Sequence, residues 1–206
     1  MFDTAFLITA FTTLFVVIDP MGSAPIFAAL THDMEAKERR GVALRACITA
    51  ALILALFAAC GEAVLAFVGI SLAAFRVAGG ALLFLTALDM LFERRTKRRE
   101  NTAEADDRDD PSVFPLAMPL TAGPGAIATM ILLAGQNPGV WGVLQAIGVM
   151  LVVVLLVLVM FLSAAGLAKL LGKTGLNVVT RLLGMLLAAL SVQFILEGLR
   201  DFSLMS

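Results

Sequence analysis

The sequence predicts an all-α membrane protein of six transmembrane helices, arranged as two inverted three-helix repeats with broken helices 1 and 4. An apolar composition, six long apolar runs and two matching strings of prolines and glycines lead to this fold class. Of the 206 residues, 60% are hydrophobic and 15% are charged, whereas soluble domains carry about a quarter charged residues. A helix that crosses a bilayer needs about 20 apolar residues, and each run approaches or exceeds that length.

The predicted spans divide evenly around one long polar stretch. They run over Thr4–Leu30, Val42–Val68, Leu72–Phe92, Val113–Ala134, Val140–Leu162 and Leu176–Leu199. The stretch Glu93–Pro111 is basic and then acidic, and we interpret it as a solvated linker. The chain then comprises a first three-span repeat (1–92), a cytoplasmic linker (93–112) and a second three-span inverted repeat (113–206).

The distribution of basic residues predicts the orientation. With six spans, all of the 15 Lys and Arg residues except Arg76 and Arg200 fall on one side of the membrane. The positive-inside rule places that side in the cytoplasm, so both termini are expected outside. Met1–Thr4 contains no Lys or Arg, unlike the start of a secretory signal, and we expect a retained first span. No basic face indicates nucleic acid binding.

The two strings lie inside the first and fourth spans. The first is Asp19-Pro20-Met21-Gly22-Ser23-Ala24-Pro25, and the second is Pro119-Leu120-Thr121-Ala122-Gly123-Pro124-Gly125. Both prolines of one string align with both prolines of the other without a gap. Proline removes a helical hydrogen-bond donor, and the freed groups need partners in protein or trapped water. Helices interrupted at corresponding positions in two halves are typical of transporter binding sites.

The third and sixth spans also correspond. The third contains an Arg-Val-Ala-Gly sequence from Arg76 and reaches Thr86, and the sixth contains Arg-Leu-Leu-Gly from Arg181 and reaches Ser191. Because three spans per half is an odd number, the second half must enter the membrane inverted. The sequence therefore predicts an inverted-topology repeat.

The residues at the breaks suit a small charged ligand. N–H groups at the start of each half-helix attract a carboxylate, and glycine lets a ligand approach the backbone closely. Nearby hydroxyl groups supply hydrogen bonds. The candidate substrate-binding residues are Asp19, Gly22, Ser23, Thr121, Gly123, Gly125 and Thr129. Alternatively, the prolines and glycines only kink packed helices, which membranes tolerate.

Two acidic residues are candidates for ion coupling. Asp19 lies deep in the first span, where a carboxylate is costly and indicates function. It could hold a substrate ammonium, a sodium ion or a transported proton, or it could cap the following half-helix, and these roles are compatible. Met118, directly before Pro119 of the second string, occupies the place that matches Asp19. Glu62 is either a proton relay or an interfacial side chain.

Several other site types are not indicated. Cys47 and Cys60 lie about 20 Å apart on one helix, too far for a disulfide, and His32 is the single histidine. We therefore expect no metal and no cofactor beyond a coupling H⁺ or Na⁺. A second membrane aspartate in a matching motif and a His-Glu-x-x-His motif are both missing from the sequence, so we expect no protease and no other enzyme.

The strings carry a resemblance to a known family. Phe15–Thr31 and Pro115–Leu132 resemble two blocks of the MarC family of bacterial membrane proteins, and Arg76–Asp89 is similar to its third-span block. The resemblance covers nearly the whole chain. It implies a bacterial inner-membrane transporter of small neutral amino acids, with glycine and alanine as expected substrates. Family members often have Asn where this chain has Asp19, so the resemblance leaves ion coupling open.

The sequence thus favours secondary transport of a small zwitterionic amino acid at the two breaks. The expected partners are this substrate and the lipid bilayer. Two alternatives stay open: a channel for a small solute, and a membrane protein of this antibiotic-resistance-labelled family that does not transport amino acids. Nothing in these residues suggests drug binding.

Overall fold

Apart from short connections, the described part of the chain is helical, which confirms the prediction of an all-α membrane protein. The computed structural model describes residues 4–92, 110–136 and 139–205. The predicted linker lies almost wholly outside these residues. Eight helices follow in chain order within the described part: α1 Thr4–Ile18, α2 Pro20–Leu30, α3 Ala36–Val68, α4 Leu72–Leu91, α5 Ser112–Thr121, α6 Pro124–Gln136, α7 Val140–Leu162 and α8 Ala164–Met205.

Five to six of the described segments can cross a membrane. The combined stretch α1–α2, together with α3, α4, α7 and Thr174–Leu204 of α8, is long and apolar enough. Helices α5 and α6 are bent by 57° at a short break, and they make a sixth crossing if they are counted as one. This number agrees with the six predicted spans.

Two helices extend beyond the predicted spans. Helix α3 begins at Ala36 rather than Val42, because its charged first turns contain Lys, Glu and Arg, which form helix readily in water. Helix α8 begins at Ala164 and continues past Gly172, whose φ of 61° and ψ of 176° interrupt the regular helix. The sequence predicts that the sixth span begins at Leu176, whereas residues 164–171, before the break at Gly172, are already helical.

Among the described helices, α4 and α8 make the most extensive contact. A Cβ atom added at Gly80 would lie 2.8 Å from the carbonyl oxygen of Ser191, and one at Gly198 would lie 2.9 Å from that of Ala73. The contact moves towards the start of α4 as it moves towards the end of α8, so the two helices run antiparallel. Small residues allow such backbone approach in membranes, where packing rather than burial from water holds helices together.

The start of α5 is tied to α3 at the end of the linker. Arg45 Nη2 lies 3.0 Å from Asp110 Oδ2, and the N–H of Ser112 donates to Asp110 Oδ1 at 3.0 Å. Partial burial acts to raise the pKa of Asp110, but the hydrogen bonds from Ser112 and the charge of Arg45 outweigh it and lower that pKa. These contacts place the irregular helix α5 against α3.

Candidate functional site

The first break is a single residue in the left-handed conformation. Asp19 has φ 56° and ψ 67°, lies between α1 and α2, and is 1% exposed. Asp and Asn tolerate this conformation better than most residues do. Its Oδ1 accepts the N–H of Gly22 at 3.0 Å, and a Cβ on Gly22 would collide with Asp19 Oδ2. The carboxylate therefore caps α2 and occupies the place where another anion would bind.

Ser23 lies on the same turn as this cap and is also buried. Its Oγ donates to the carbonyl oxygen of Asp19 at 2.9 Å. Because Pro20 and Pro25 have no N–H, the carbonyls four residues before them, at Val16 and Met21, lose their usual helical donor. The first break is consequently rich in hydrogen-bond acceptors.

The second break is longer and is shaped by its prolines. Phe114 and Met118 have extended backbones inside α5, as expected for residues that precede proline. The N–H of Ala122 donates to the carbonyl of Ala117 at 2.7 Å, and Thr121 Oγ1 donates to that of Leu116 at 2.9 Å. A compact turn thus closes before α6 begins at Pro124.

The N-terminus of α6 differs from that of α2 because no carboxylate caps it. Gly125 and Ala126 are buried, and within the described residues their N–H groups have no hydrogen-bond partner. Pro124 has no N–H to offer. Buried unpaired N–H groups are rare in proteins, and at a helix N-terminus they attract an anion. Two buried donors are therefore available to a ligand.

The structure brings the two breaks together around Gly125. A Cβ atom at this position would lie 3.3 Å from Val17 Cγ1 of α1 and 3.2 Å from Leu83 Cδ2 of α4, with Thr86 Oγ1 at 3.9 Å. Val17 is two residues before Asp19. Gly125 is thus the point where α1, α4 and α6 meet, and only a residue without a side chain fits there without displacing a neighbour.

Thr129 is buried one turn further along α6. Its Oγ1 donates to the carbonyl oxygen of Gly125 at 2.8 Å. Ser23 and Thr121 also donate to backbone carbonyls, so all three predicted hydroxyl groups have used their hydrogen. What remains on each oxygen is a pair of acceptor sites, which suit an ammonium group or a metal cation.

One polar residue of this region did not stand out in the sequence. Thr13 of α1 is 0% exposed, and its Oγ1 has no hydrogen-bond partner in the described part of the chain. Threonine in a helix usually bonds a carbonyl of the preceding turn, as Thr129 does, and the sequence alone does not reveal an exception. The available signal was that Thr13 lies one helical turn before Val17, which is itself two residues before the first break.

Gly123 and Glu62 have other surroundings. A Cβ on Gly123 would lie 2.6 Å from the carbonyl oxygen of Pro119, so this glycine is required by the turn itself. Glu62 is exposed on the outer surface of α3, and the residue before it, Gly61, faces Ile131 of α6. The structure therefore does not bring Glu62 to the breaks.

An apolar cavity of about 550 Å³ adjoins the second break. It lies between α3, α4, α5 and α6, and its lining includes Phe57, Phe75, Met118, Pro119 and Pro124. Every lining side chain is apolar, so this space suits hydrocarbon better than a zwitterion. Among the described residues, no three His, Cys, Asp or Glu side chains are grouped as metal ligands are.

Comparison with known proteins shows related sequences over nearly the full length. The model of the MarC family integral membrane proteins matches residues 4–203. A UPF0056 membrane protein of Archaeoglobus fulgidus is 37% identical over 199 residues, covering 96% of this chain and 93% of the relative. The UPF0056 inner membrane protein YhgN of Escherichia coli is 33% identical, covering 94% and 96%. No solved structure matches significantly.

Proposed function

Because the chain belongs to the MarC family of integral membrane proteins, we propose that it is a secondary transporter of small neutral amino acids, glycine and alanine above all, with its site at the two helix breaks. The unpaired N–H groups of Gly125 and Ala126 are the observation that carries this proposal. They lie in an apolar bundle, where an unmet donor is costly, and a substrate carboxylate would satisfy both.

The polarity of the surrounding groups supports a zwitterion. Asp19 already fills the anion position at α2, so the carboxylate belongs at α6. The opposite end of the ligand would meet acceptors: the hydroxyl oxygens of Ser23, Thr121 and Thr129 and the negative charge near Asp19. An α-amino acid carries an anion and an ammonium group a few ångströms apart, which matches this division.

The size of the site favours the smallest amino acids. A Cβ atom added at Gly125 would lie only 3.2–3.3 Å from Leu83 and Val17, closer than ordinary van der Waals contact, and the next residue is alanine. A ligand carboxylate at this N-terminus has little room for a branched side chain. We therefore expect glycine and alanine to bind better than valine or leucine.

The helix packing supports an inverted repeat. Helix α3 packs against α5, α6 and α7, and its counterpart α7 packs against α1, α2 and α3. Helix α4 packs against α6 and α8, and its counterpart α8 packs against α2 and α4. Exchanging α1–α4 for α5–α8 converts each set into the other. The α1–α8, α6–α7 and α7–α8 contacts are not matched to the same extent. This exchange is what two halves of opposite orientation would produce, and alternating access in such folds moves one half against the other.

The remaining parts of the proposal concern coupling and placement. Asp19 is the candidate for coupling to H⁺ or Na⁺, because it is the buried acid at the breaks, whereas Glu62 faces outward. We place the protein in the bacterial inner membrane with both termini outside, and we assign it no enzymatic activity and no cofactor.

The proposal is tested with the purified protein in lipid vesicles. Vesicles preloaded with unlabelled glycine should accumulate labelled glycine transiently, and alanine should compete while leucine competes poorly. Gly125→Leu should abolish this counterflow. Gly148→Leu is the matched control, because Gly148 is exposed on α7 with nothing within 4 Å of its Cβ position.

Two results would reject it. Saturable flux of neither glycine nor alanine in any imposed gradient would leave a family member without this transport. Flux without counterflow would indicate a channel, which uses the same breaks without alternating access.

A further inference from the structure

The hydroxyl group of Thr13 is a buried polar group with no partner in the described residues. Burying a hydroxyl without a hydrogen bond is unfavourable, because the group loses its bonds to water without replacing them. The other buried threonines in this part of the fold avoid this cost: Thr129 donates to Gly125 and Thr31 donates to Phe27. The Thr13 hydroxyl in the core of α1 is therefore free to hydrogen-bond a polar group of a ligand.

The packing places Thr13 near the α6 end of the site. Thr13 lies one turn before Val17, and both are on the buried side of α1. Helices α4 and α6 are antiparallel, because Leu83 lies beside Gly125 and Leu72 beside Gly135. The chain reverses direction between α2 and α3 and again between α3 and α4, so α1 runs parallel to α4 and therefore opposite to α6. Moving one turn back from Val17 and one turn forward from Gly125 brings Thr13 and Thr129 to the same level.

We infer that Thr13 is a specificity-determining residue whose hydroxyl binds a polar group of the small zwitterionic substrate in a path between α1 and α6. This inference rests on the proposed function. Thr129 can only accept hydrogen bonds there, because its hydrogen is bound to Gly125. Thr13 can donate or accept, so it can serve the carboxylate or the ammonium group as the substrate passes.

The first experiment separates a ligand from an idle hydroxyl. Thr13→Val keeps the shape and removes the hydroxyl, and Thr13→Ser keeps the hydroxyl. We expect Thr13→Val to weaken glycine binding about 10-fold to 100-fold, measured by glycine-dependent thermal stabilisation. The unfolding temperature without glycine should stay equal or rise, because a buried unpaired hydroxyl has gone. Thr13→Ser should restore binding to near the parent value.

The second experiment first measures thiol reactivity at position 13, which does not depend on the identity of the substrate, and then tests protection by glycine. In a background with Cys47→Ala and Cys60→Ala, Thr13→Cys should react with a small charged thiol reagent in membranes, and glycine should protect it. Leu14→Cys is the control, because Leu14 is equally buried among apolar neighbours and should stay unreactive.

The outcomes distinguish the two proposals. If the parent protein binds glycine while Thr13→Val binds it equally well and Thr13→Cys is unreactive, the inference about Thr13 is overturned and the transport proposal stands. If the parent binds neither glycine nor alanine but Thr13→Cys reacts, the amino acid proposal fails and a solute path at Thr13 is supported. If both tests are negative, both proposals are wrong.

Discussion

Asp19 combines a structural contact with a location that suits coupling. Its Oδ1 caps α2 through the N–H of Gly22, and Asn would supply the same oxygen and tolerate the same left-handed backbone. We expect Asp19→Asn to retain glycine exchange and to weaken gradient-driven accumulation, because the amide carries no proton or charge. Both quantities are measured in the same vesicles.

Asp19→Ala is the contrasting variant. It removes the cap, which costs about 1 kcal/mol, and it should lower the unfolding temperature where Asp19→Asn does not. Unchanged accumulation in Asp19→Asn would remove this residue from coupling. Loss of exchange in the same variant would make it a substrate ligand.

Gly125 gives a prediction about close packing. In Gly125→Ala the new methyl would lie 3.2–3.3 Å from Leu83 and Val17, so these neighbours must move by a few tenths of an ångström. Overpacking of this kind costs about 1–3 kcal/mol, and the methyl also borders the unpaired N–H groups. We expect glycine affinity to fall about 10-fold or more.

Gly148→Ala is the control for that change. Nothing lies within 4 Å of its added Cβ, and alanine forms helix better than glycine by about 1 kcal/mol. We expect equal or slightly higher thermal stability and unchanged glycine binding. A fall in affinity as large as that of Gly125→Ala would show that general helix stiffening, not the site, is responsible.

At this scale, the sequence indicates which residues lie near the breaks more readily than which of their hydrogen-bonding groups are free. Asp19, Ser23 and Thr129 are buried near the breaks, and their role in substrate binding stays a prediction. Whether a carboxylate caps its own helix, or a threonine bonds its own turn, depends on rotamers that the sequence does not specify. The sequence therefore leaves the cap of α2 as one of several hypotheses for Asp19, and it does not indicate Thr13.

At the scale of helices, the α4–α8 pair depends on glycines. A side chain at Gly80 meets the carbonyl of Ser191 at 2.8 Å and Ile195 at 2.7 Å, and a backbone atom cannot move aside cheaply. We expect Gly80→Val to lower thermal stability strongly, by more than about 2 kcal/mol. Thermal unfolding in detergent checks this, and Gly148→Val should have little effect.

An ion pair between Arg76 of α4 and Asp201 of α8 joins the same two helices. Arg76 Nη1 lies 2.6 Å from Asp201 Oδ2, and the Arg76 side chain is only 11% exposed. Asp201 has a second cation nearby, since Arg200 Nε lies 3.9 Å from its Oδ1. Removing Asp201 therefore leaves a buried charge unmatched, whereas removing Arg76 does not.

We accordingly expect Asp201→Ala to cost about 1–3 kcal/mol of stability and Arg76→Met to cost less. The double variant should cost less than the sum of the single ones, because the pair acts as a unit. Arg200→Met is the control, since Arg200 is 73% exposed. Purely additive effects in the unfolding temperatures would mean that the pair contributes nothing.

Helix boundaries were predictable where apolar runs ended in turn residues and uncertain where charged helix continued into water. Leu72 and Val140 begin helices as expected. The early start of α3 follows from good helix formers outside its apolar run, which hydropathy does not detect. The start of α8 at Ala164 was not predicted, because several glycines interrupt the sequence before Leu176. The extended residues inside α5 follow from the pre-proline rule, but their combined path needed the structure.

For the whole molecule, orientation stays a prediction from the basic residues. In the cysteine-free background, Thr102→Cys in the linker should be protected from a membrane-impermeant reagent added outside intact cells. Ile70→Cys should react, because Ile70 lies in the exposed connection between α3 and α4. The reverse labelling pattern would invert the proposed topology.

The close α4–α8 contact has a consequence for how the chain could be divided. It joins the last helix of the first half to the last helix of the second along much of their length, so the halves associate through their own surfaces rather than through the peptide that connects them. Residues 1–92 and 113–206, produced as separate polypeptides, should therefore assemble in trans into an active complex. In such a complex the connecting segment is not needed for assembly, and two genes, one for each half, would be enough to produce the protein.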